Sequence, residues 1–272
     1  MTRSYPRYTV SAAVSWAGHG LHGGQAVKVT VHPGSDGLAF RVGHQRTPAT
    51  PENVTDTRRC TTLGDISTIE HLMSALAGLD YTDAEIEVEG GELPALDGSA
   101  TEYVDGLLNA GRASVGTLEV EGLFKRVFTG EDEVKVAIAA GDGEWCYEYD
   151  CSPRWPGQQV VTYQVTPEVY QAEIAAARTF AFEEEVEPMR ALGLGMGLDE
   201  NSCLVLGAAG FVNGARFPDE PARHKLLDLI GDLALAGVPV AALDVSAHRS
   251  GHRVNVVAAQ RLAASVTIRR NA

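Results

Sequence analysis

Apolar and polar residues alternate through the first forty positions of the chain. YTVSAAV (8–14), QAVKVTV (25–31) and LAFRV (38–42) are short, β-branched runs bounded by Gly, Pro and Asp, and each predicts a strand. The period then lengthens. STIEHLMSALAGL (67–79) predicts a helix ending near Gly78, DAEIEVEG (83–90) alternates as a strand, and GSATEYVDGLLNAG (98–111) predicts a second helix. In that second helix Ser99 and Glu102 have the spacing of a capping box, and Gly111 is the stop. Beyond RASVGT (112–117) the strand signal restarts. LEVEGLFKRVF (118–128), EVKVAIAA (133–140), EWCYEYD (144–150) and QQVVTYQV (158–165) predict an antiparallel meander. TPEVYQAEIAAA (166–177) predicts a helix capped by Thr166, with Pro167 at its first position. A helix over 219–236 stops at Gly237, a strand follows at 240–247, and a helix at 251–266 closes the chain.

The elements group into two successive α+β units, 1–115 and 116–272, alike in element order but without a visible sequence repeat. FEEEVEPMRALGLGMGLDENSCLVL (182–206) fits neither period. An acidic run passes into Met, Leu and Gly, which points to an inserted, partly mobile apolar element rather than core.

One helical stretch raises a chemical question. In RHKLLDLIGDL (223–233), Leu226, Leu227, Leu229, Ile230 and Leu233 fill one broad face. His224, Lys225, Asp228 and Asp232 fall opposite, within roughly a quarter turn by the same angular count. A solvated stripe is the plain reading, but such a stripe ordinarily favours Glu over Asp for helix propensity. His224 and Asp228, at i and i+4, are also spaced to share a metal ion.

Composition narrows the choices. With 22 basic against 36 acidic residues the net charge is −14, which argues against a general nucleic-acid or membrane-surface binder. No apolar run approaches the ~20 residues needed to span a bilayer, and the first residues lack a signal-peptide core. A cytoplasmic protein is expected, with a monomer as the default. Cys60, Cys146, Cys151 and Cys203 form no CxxC pair and read as free thiols.

A catalytic zinc takes three protein ligands and leaves one position open. His71, preceded by Glu70, offers a third ligand with a carboxylate beside it, although Ser67 and Glu70 also have capping-box spacing. In SAHRSGHRVN (246–255), His252 follows a glycine at a loop-to-helix junction, where an imidazole can serve as general acid or simply face solvent.

Six segments, taken in order, resemble the UDP-3-O-acyl-N-acetylglucosamine deacetylases, zinc amidases of the committed step in lipid A synthesis. They are GHGLHGG (18–24), STIEHLMSALAGL (67–79), ELPALDGSA (92–100), ARTFAF (177–182), RHKLLDLIGDL (223–233) and HRSGHRVN (248–255). The resemblance implies His71, His224 and Asp228 as ligands of one zinc ion per chain, with Fe²⁺ as the alternative in the cell. It implies Glu70 as general base, His252 as general acid, and Asp232 as the group that fixes His252. Thr179 is implied as oxyanion donor, Lys225 as a pocket residue, and Phe180, Phe182 and Arg249 as substrate contacts. Arg249 stands where the family commonly has Lys; a guanidinium still binds a diphosphate, as a fork rather than a point charge. The implied fold is α+β, two similar domains each with a mainly antiparallel sheet and two helices, the helices packed between the sheets. The segment 182–206, with Met189, Leu192, Leu194, Met196 and Leu198, is implied as the acyl-chain passage. The implied partner is a UDP-linked acylated amino sugar, without nucleic acid or stable membrane insertion. Two alternatives stand beside it: a metal-dependent deacetylase of another nucleotide-linked amino sugar, and a non-catalytic UDP-sugar or acyl-chain binder.

Overall fold

The computed structural model describes residues 2–122 and 125–272. The chain opens with β1 (Thr2–Val10) and continues through β2 (Val14–His19), β3 (Ala26–His32), β4 (Leu38–Val42) and β5 (Gln45–Pro48). A small hairpin, β6 (Val54–Asp56) and β7 (Thr62–Leu63), leads to α1 (Glu70–Gly78), β8 (Ala84–Glu89) and α2 (Thr101–Ala110). In the first sheet, ordered β2-β3-β8-β4-β5, β8 enters between two hairpins and runs parallel only to β4. Burial follows the pleat. Val27, Val29 and Val31 of β3 and Ile86 and Val88 of β8 point inward, while Lys28, Glu85, Glu87 and Glu89 face out.

β9 (Arg112–Glu121) leads into β10 (Val127–Glu131), β11 (Val134–Ala140), β12 (Glu144–Asp150) and β13 (Gln158–Gln164). A single α-turn, α3 (Pro167–Val169), precedes β14 (Phe180–Phe182), α4 (Glu183–Ala191) and β15 (Leu204–Leu206). The chain closes with α5 (Glu220–Ala234), β16 (Leu243–His248), α6 (His252–Ser265) and β17 (Thr267–Asn271). The second sheet, ordered β10-β11-β16-β12-β13, repeats the topology of the first, with β16 antiparallel to β11 and parallel to β12. A third sheet places β9 between β1 and β17, so both chain ends pair with the strand that contains residue 115.

The helices lie between the two large sheets. α1 packs on α5 and α2, α5 on α6 and the β12–β13 side, and α6 on β10 and β11. One apolar core runs from Val29 and Ile86 through Leu72, Leu76, Leu226 and Ile230 to Val136 and Trp145. α1 and α5 are in close contact at Gly231, where an added Cβ would fall 2.2 Å from the Glu70 carbonyl oxygen and 3.1 Å from Ser74 N.

Several local expectations require correction. The strand over 8–14 is two strands, because residues 11–13 turn between β1 and β2. Residues 123 and 124 of the strand expected over 118–128 lie outside the described residues, and the rest of that stretch is shared between β9 and β10. Neither capping box forms. α1 starts at Glu70 after Ile69, and Ser67 instead bridges Glu92; α2 starts after Ala100, and Ser99 closes a turn with Asp97. The helix over 166–177 keeps its Thr166 cap, but after one α-turn it widens to a π-turn at Tyr170–Ile174. That widening seats the Tyr170 ring against Gly78 and its hydroxyl on Ser74, 2.8 Å away.

Gly231→Ala tests the crossing. Alanine should gain about 1 kcal/mol of helix propensity, but overpacking at this contact should cost about 1–3 kcal/mol and separate α1 from α5. A lower Tm together with weakened metal binding is expected, and an unchanged or higher Tm would show that the helices tolerate the methyl group.

Candidate active site

The polar stripe of α5 is not solvated. His224, Asp228 and Asp232 are only 3%, 2% and 1% exposed, because the stripe faces the first turn of α1 across the Gly231 contact. That turn presents Glu70 and His71, also buried. Two segments about 150 residues apart in sequence thus share one polar pocket inside an apolar core.

His71, His224 and Asp228 form a compact group whose ligand atoms lie within 4.8 Å of one another. Asp228 Oδ1 is 3.8 Å from His71 Nε2 and 3.4 Å from His224 Nε2, and the two rings meet edge to face. His224 Nδ1 donates to the Ala177 carbonyl at 3.1 Å, which leaves the Nε2 lone pair directed at the cluster. Burial lowers both imidazoles, His71 to about 3, so both rings are neutral and able to ligate. Burial opposes ionisation of Asp228, yet the Lys225 ammonium beside it outweighs burial and holds its carboxyl far below the usual range. Lys225 Nζ donates to Asp228 Oδ2 at 2.8 Å, while Oδ1, buried, has no hydrogen-bond donor. Two neutral imidazoles and an orphaned carboxylate oxygen fit a divalent cation of the zinc class.

Glu70, Asp228 and His252 form a second close group. Its histidine suits a ligand less well. His252 Nδ1 donates to Asp232 Oδ2 at 3.0 Å; burial lowers the imidazole, but Asp232 and Asp228 outweigh it and raise the pKa to about 9. Glu70 is pushed up to about 7 by burial and by Asp228 and Asp232, against the opposing charge of His252. A carboxylate poised near neutrality and a proton-bearing imidazole therefore flank the candidate ligands on different helices, an arrangement suited to acid–base work.

The other sequence-derived residues are placed unequally. Phe180 packs its ring edge to face on His224, with centroids 6.1 Å apart, and lies beneath Lys225. Thr179, two residues beyond the carbonyl that holds His224, enters β14 with its backbone bonded to Gly98 and Leu204. Phe182 is turned away; the Arg154 guanidinium stacks on its ring at 3.4 Å. Arg249 lies in an open groove with Arg253 and Arg261, paired to Glu133 at 2.7 Å. The 182–206 segment is ordered in part by the first unit: Met196 N and Gly197 N donate to the carbonyls of His22 and Leu21. Leu192 and Met196 remain exposed at 76% and 55%.

Sequence reasoning missed several supporting groups. Thr61 contacts Glu70, Asp232 and His252, and Asn255 Nδ2 donates to Asp232 Oδ2 at 3.0 Å. Asn255 was legible as the residue one helical turn beyond His252. Thr61 belongs to a loop with no periodicity to mark it. Tyr147 donates its hydroxyl to the Ser250 carbonyl and so anchors the loop that carries His252.

The sequence model of the UDP-3-O-acyl N-acetylglycosamine deacetylase (LpxC) family matches residues 7–264. The chain is similar to the UDP-3-O-acyl-N-acetylglucosamine deacetylase of Oleidesulfovibrio alaskensis, 36% identical over 91% of this chain and 85% of that protein. It is likewise similar to the deacetylase of the same name from Thermosynechococcus vestitus, 36% identical over 94% and 93% of the two chains. A third relative of that name, from Nostoc sp., is 34% identical over 95% and 98%.

An ion pair buried behind the pocket fixes one wall of it. Arg178 donates through its backbone N and Nε to Glu220 Oε1 at 3.0 and 2.9 Å, tying the segment of Ala177 and Thr179 that leads into β14 to the first turn of α5. Arg178 also reaches the carbonyls of Asn201 and Gly214, and Glu220 Oε2 accepts from Arg216 N. Glu220→Ala should therefore strand a buried guanidinium and cost about 3–5 kcal/mol. Urea denaturation measures it, and a loss below 1 kcal/mol would show that the clamp contributes little.

Proposed function

The chain belongs to the UDP-3-O-acyl-N-acetylglucosamine deacetylase family, and from that premise we propose the residues with which it performs the family's reaction. It is an N-deacetylase that removes the acetyl group of UDP-3-O-acyl-N-acetylglucosamine, giving acetate and UDP-3-O-acyl-glucosamine, a step of lipid A synthesis. The observation that carries the residue assignment is the meeting of His71 with His224 and Asp228 around an unsatisfied Asp228 oxygen.

His71, His224 and Asp228 hold one zinc ion, with Fe²⁺ as the alternative. When bound, that ion supplies Lewis acidity, lowering the pKa of a coordinated water toward ~7 and polarising the carbonyl. Glu70 accepts a proton from the attacking water. Thr179 donates to the carbonyl oxygen as charge builds on it, worth on the order of 3 kcal/mol for one well-placed donor. His252, oriented by Asp232, protonates the departing sugar nitrogen, so that the C–N bond breaks with acetate on one side and a free amine on the other. Lys225 neutralises Asp228 and reaches toward substrate, and Phe180 walls the pocket. Arg249 and Phe182 serve as substrate contacts once their present partners, Glu133 and Arg154, release them. The segment 182–206 receives the acyl chain. The two units divide near residue 115, within β9. A cytoplasmic monomer is the working form, and among the described residues no helix is long and apolar enough to cross a membrane.

Acetate release from the acylated UDP-sugar, with and without a chelator, tests the whole reading. Activity that a chelator abolishes and zinc restores is expected, and full activity in the chelator would remove the metal from the mechanism. Omitting the 3-O-acyl chain should weaken turnover; equal turnover without it would favour a different nucleotide-linked amino sugar as substrate.

Two classes of variant separate chemistry from metal binding. Glu70→Ala and His252→Ala should each lower kcat by ~10²-fold or more while the metal is retained. Asp228→Ala should lose the metal, read by elemental analysis, and a retained equivalent would contradict its assignment as a ligand.

A further inference from the structure

Thr61 touches both arms of the proposed proton path. It is fully buried in the loop just before β7, and it belongs to the first unit. Its backbone N–H donates to Glu70 Oε2 at 3.0 Å. Its hydroxyl donates to Asp232 Oδ1 at 2.6 Å, and the same oxygen lies 3.2 Å from His252 Nδ1. A hydroxyl has one proton, and an ionised carboxylate can only accept. The Thr61 proton therefore belongs to Asp232, and its lone pair faces His252 Nδ1–H, which Asp232 Oδ2 shares at 3.0 Å. This triangle requires the proton on Nδ1 and turns Nε2 toward Asp228, 3.8 Å away.

We propose that Thr61 is a positioning residue: it links the base of the first unit to the Asp232–His252 pair of the second, fixing the orientation of the acid and its spacing from the base. The inference rests on the roles assigned above to Glu70 and His252. It follows from the count of partners. Asp232 has two oxygens and three donors, and Thr61 alone supplies Oδ1. Without the hydroxyl, one buried carboxylate oxygen loses its donor and the imidazole loses one of the two acceptors that define its plane.

Thr61→Val deletes the hydroxyl while keeping the branched shape and the backbone N–H to Glu70. Thr61→Ser keeps the hydroxyl and gives up the methyl that restricts χ1. In metal-loaded, full-length protein, Thr61→Val should lower kcat by ~10–100-fold, the scale of a small misplacement of a catalytic group. KM and metal content should hardly change, and Thr61→Ser should recover most of the rate. In a His252→Ala background, Thr61→Val should add little further loss, since it acts through the missing ring. Wild-type kcat in Thr61→Val, no recovery in Thr61→Ser, or an undiminished effect without His252 would each overturn the proposal. Full activity in His252→Ala would instead overturn the functional reading beneath it. Should Thr61→Val fail to fold, the imidazole ¹⁵N spectrum of the wild-type protein decides: a protonated, hydrogen-bonded Nδ1 on His252 supports the triangle, and a bare Nδ1 overturns it.

Discussion

The close crossing of α1 and α5 at Gly231 is the constraint on which the site depends. Two helices with ordinary side chains at the contact pack 8–10 Å apart. A residue without Cβ lets the α5 backbone settle against the Glu70 carbonyl, and Gly231 lies between Asp228 and Asp232 in sequence. The same contact therefore brings Asp228 and Asp232 up to the two residues that open α1. His71 and Asp228 approach within 3.8 Å because the backbones beneath them already touch. The apolar face of α5, from Leu226 to Leu233, anchors this arrangement in the shared core and makes the crossing rigid.

A pocket of this kind collects charge that an apolar interior resists. Asp228, Asp232 and Glu70 bring three carboxylates against the Lys225 ammonium and a His252 imidazolium. With all three carboxylates ionised the local sum is −3 + 2 = −1, and a proton on Glu70 brings it to zero. Burial is what drives Glu70 to about 7, so the carboxylate with the weakest support, a single backbone donor, is the one that trades its proton. Asp232 instead accepts from Thr61, His252 and Asn255, which together fix the position of its two oxygens. The proposed division between a carboxylate that moves a proton and one that only orients thus matches their hydrogen-bond partners.

What the sequence made legible was local. The α5 stripe, its stop at Gly237 and the turn glycine at Gly111 could be read because helical periodicity and positive-φ glycines act over a few residues. The capping boxes failed for a physical reason: the Ser67 backbone is drawn into a bridge with Glu92, and the Ser99 hydroxyl is shared between Asp97 and the Thr101 N–H, so tertiary and turn bonds replaced the expected boxes. The π-turn at Tyr170–Ile174 was unreadable because the contact it makes, the Tyr170 ring against Gly78, lies ninety residues away in sequence. Thr61 escaped notice for the same reason, since its three partners sit on three different helices. The insertion of β8 and β16 between hairpins is also non-local, and alternation alone does not specify which strand pairs with which.

The matching topology of the two sheets explains why the proposed ligands come from both halves. α1 and α5 each precede the central strand of their own sheet, so they are equivalent elements, and they face one another in the helix layer. Two of the differences between the units serve the site. α5 has 15 residues against 9 in α1, room for His224, Asp228 and Asp232 on successive turns. The link from central strand to final helix spans residues 90–100 in the first unit but only 249–251 in the second. The short link starts α6 directly at the sheet end, with Gly251 at the cap and His252 as the first helical residue. A longer link would place that imidazole on a loop. Its orientation would then depend on the loop rather than on Asp232 one helix away, so the brevity of residues 249–251 is itself part of how the proposed acid is held.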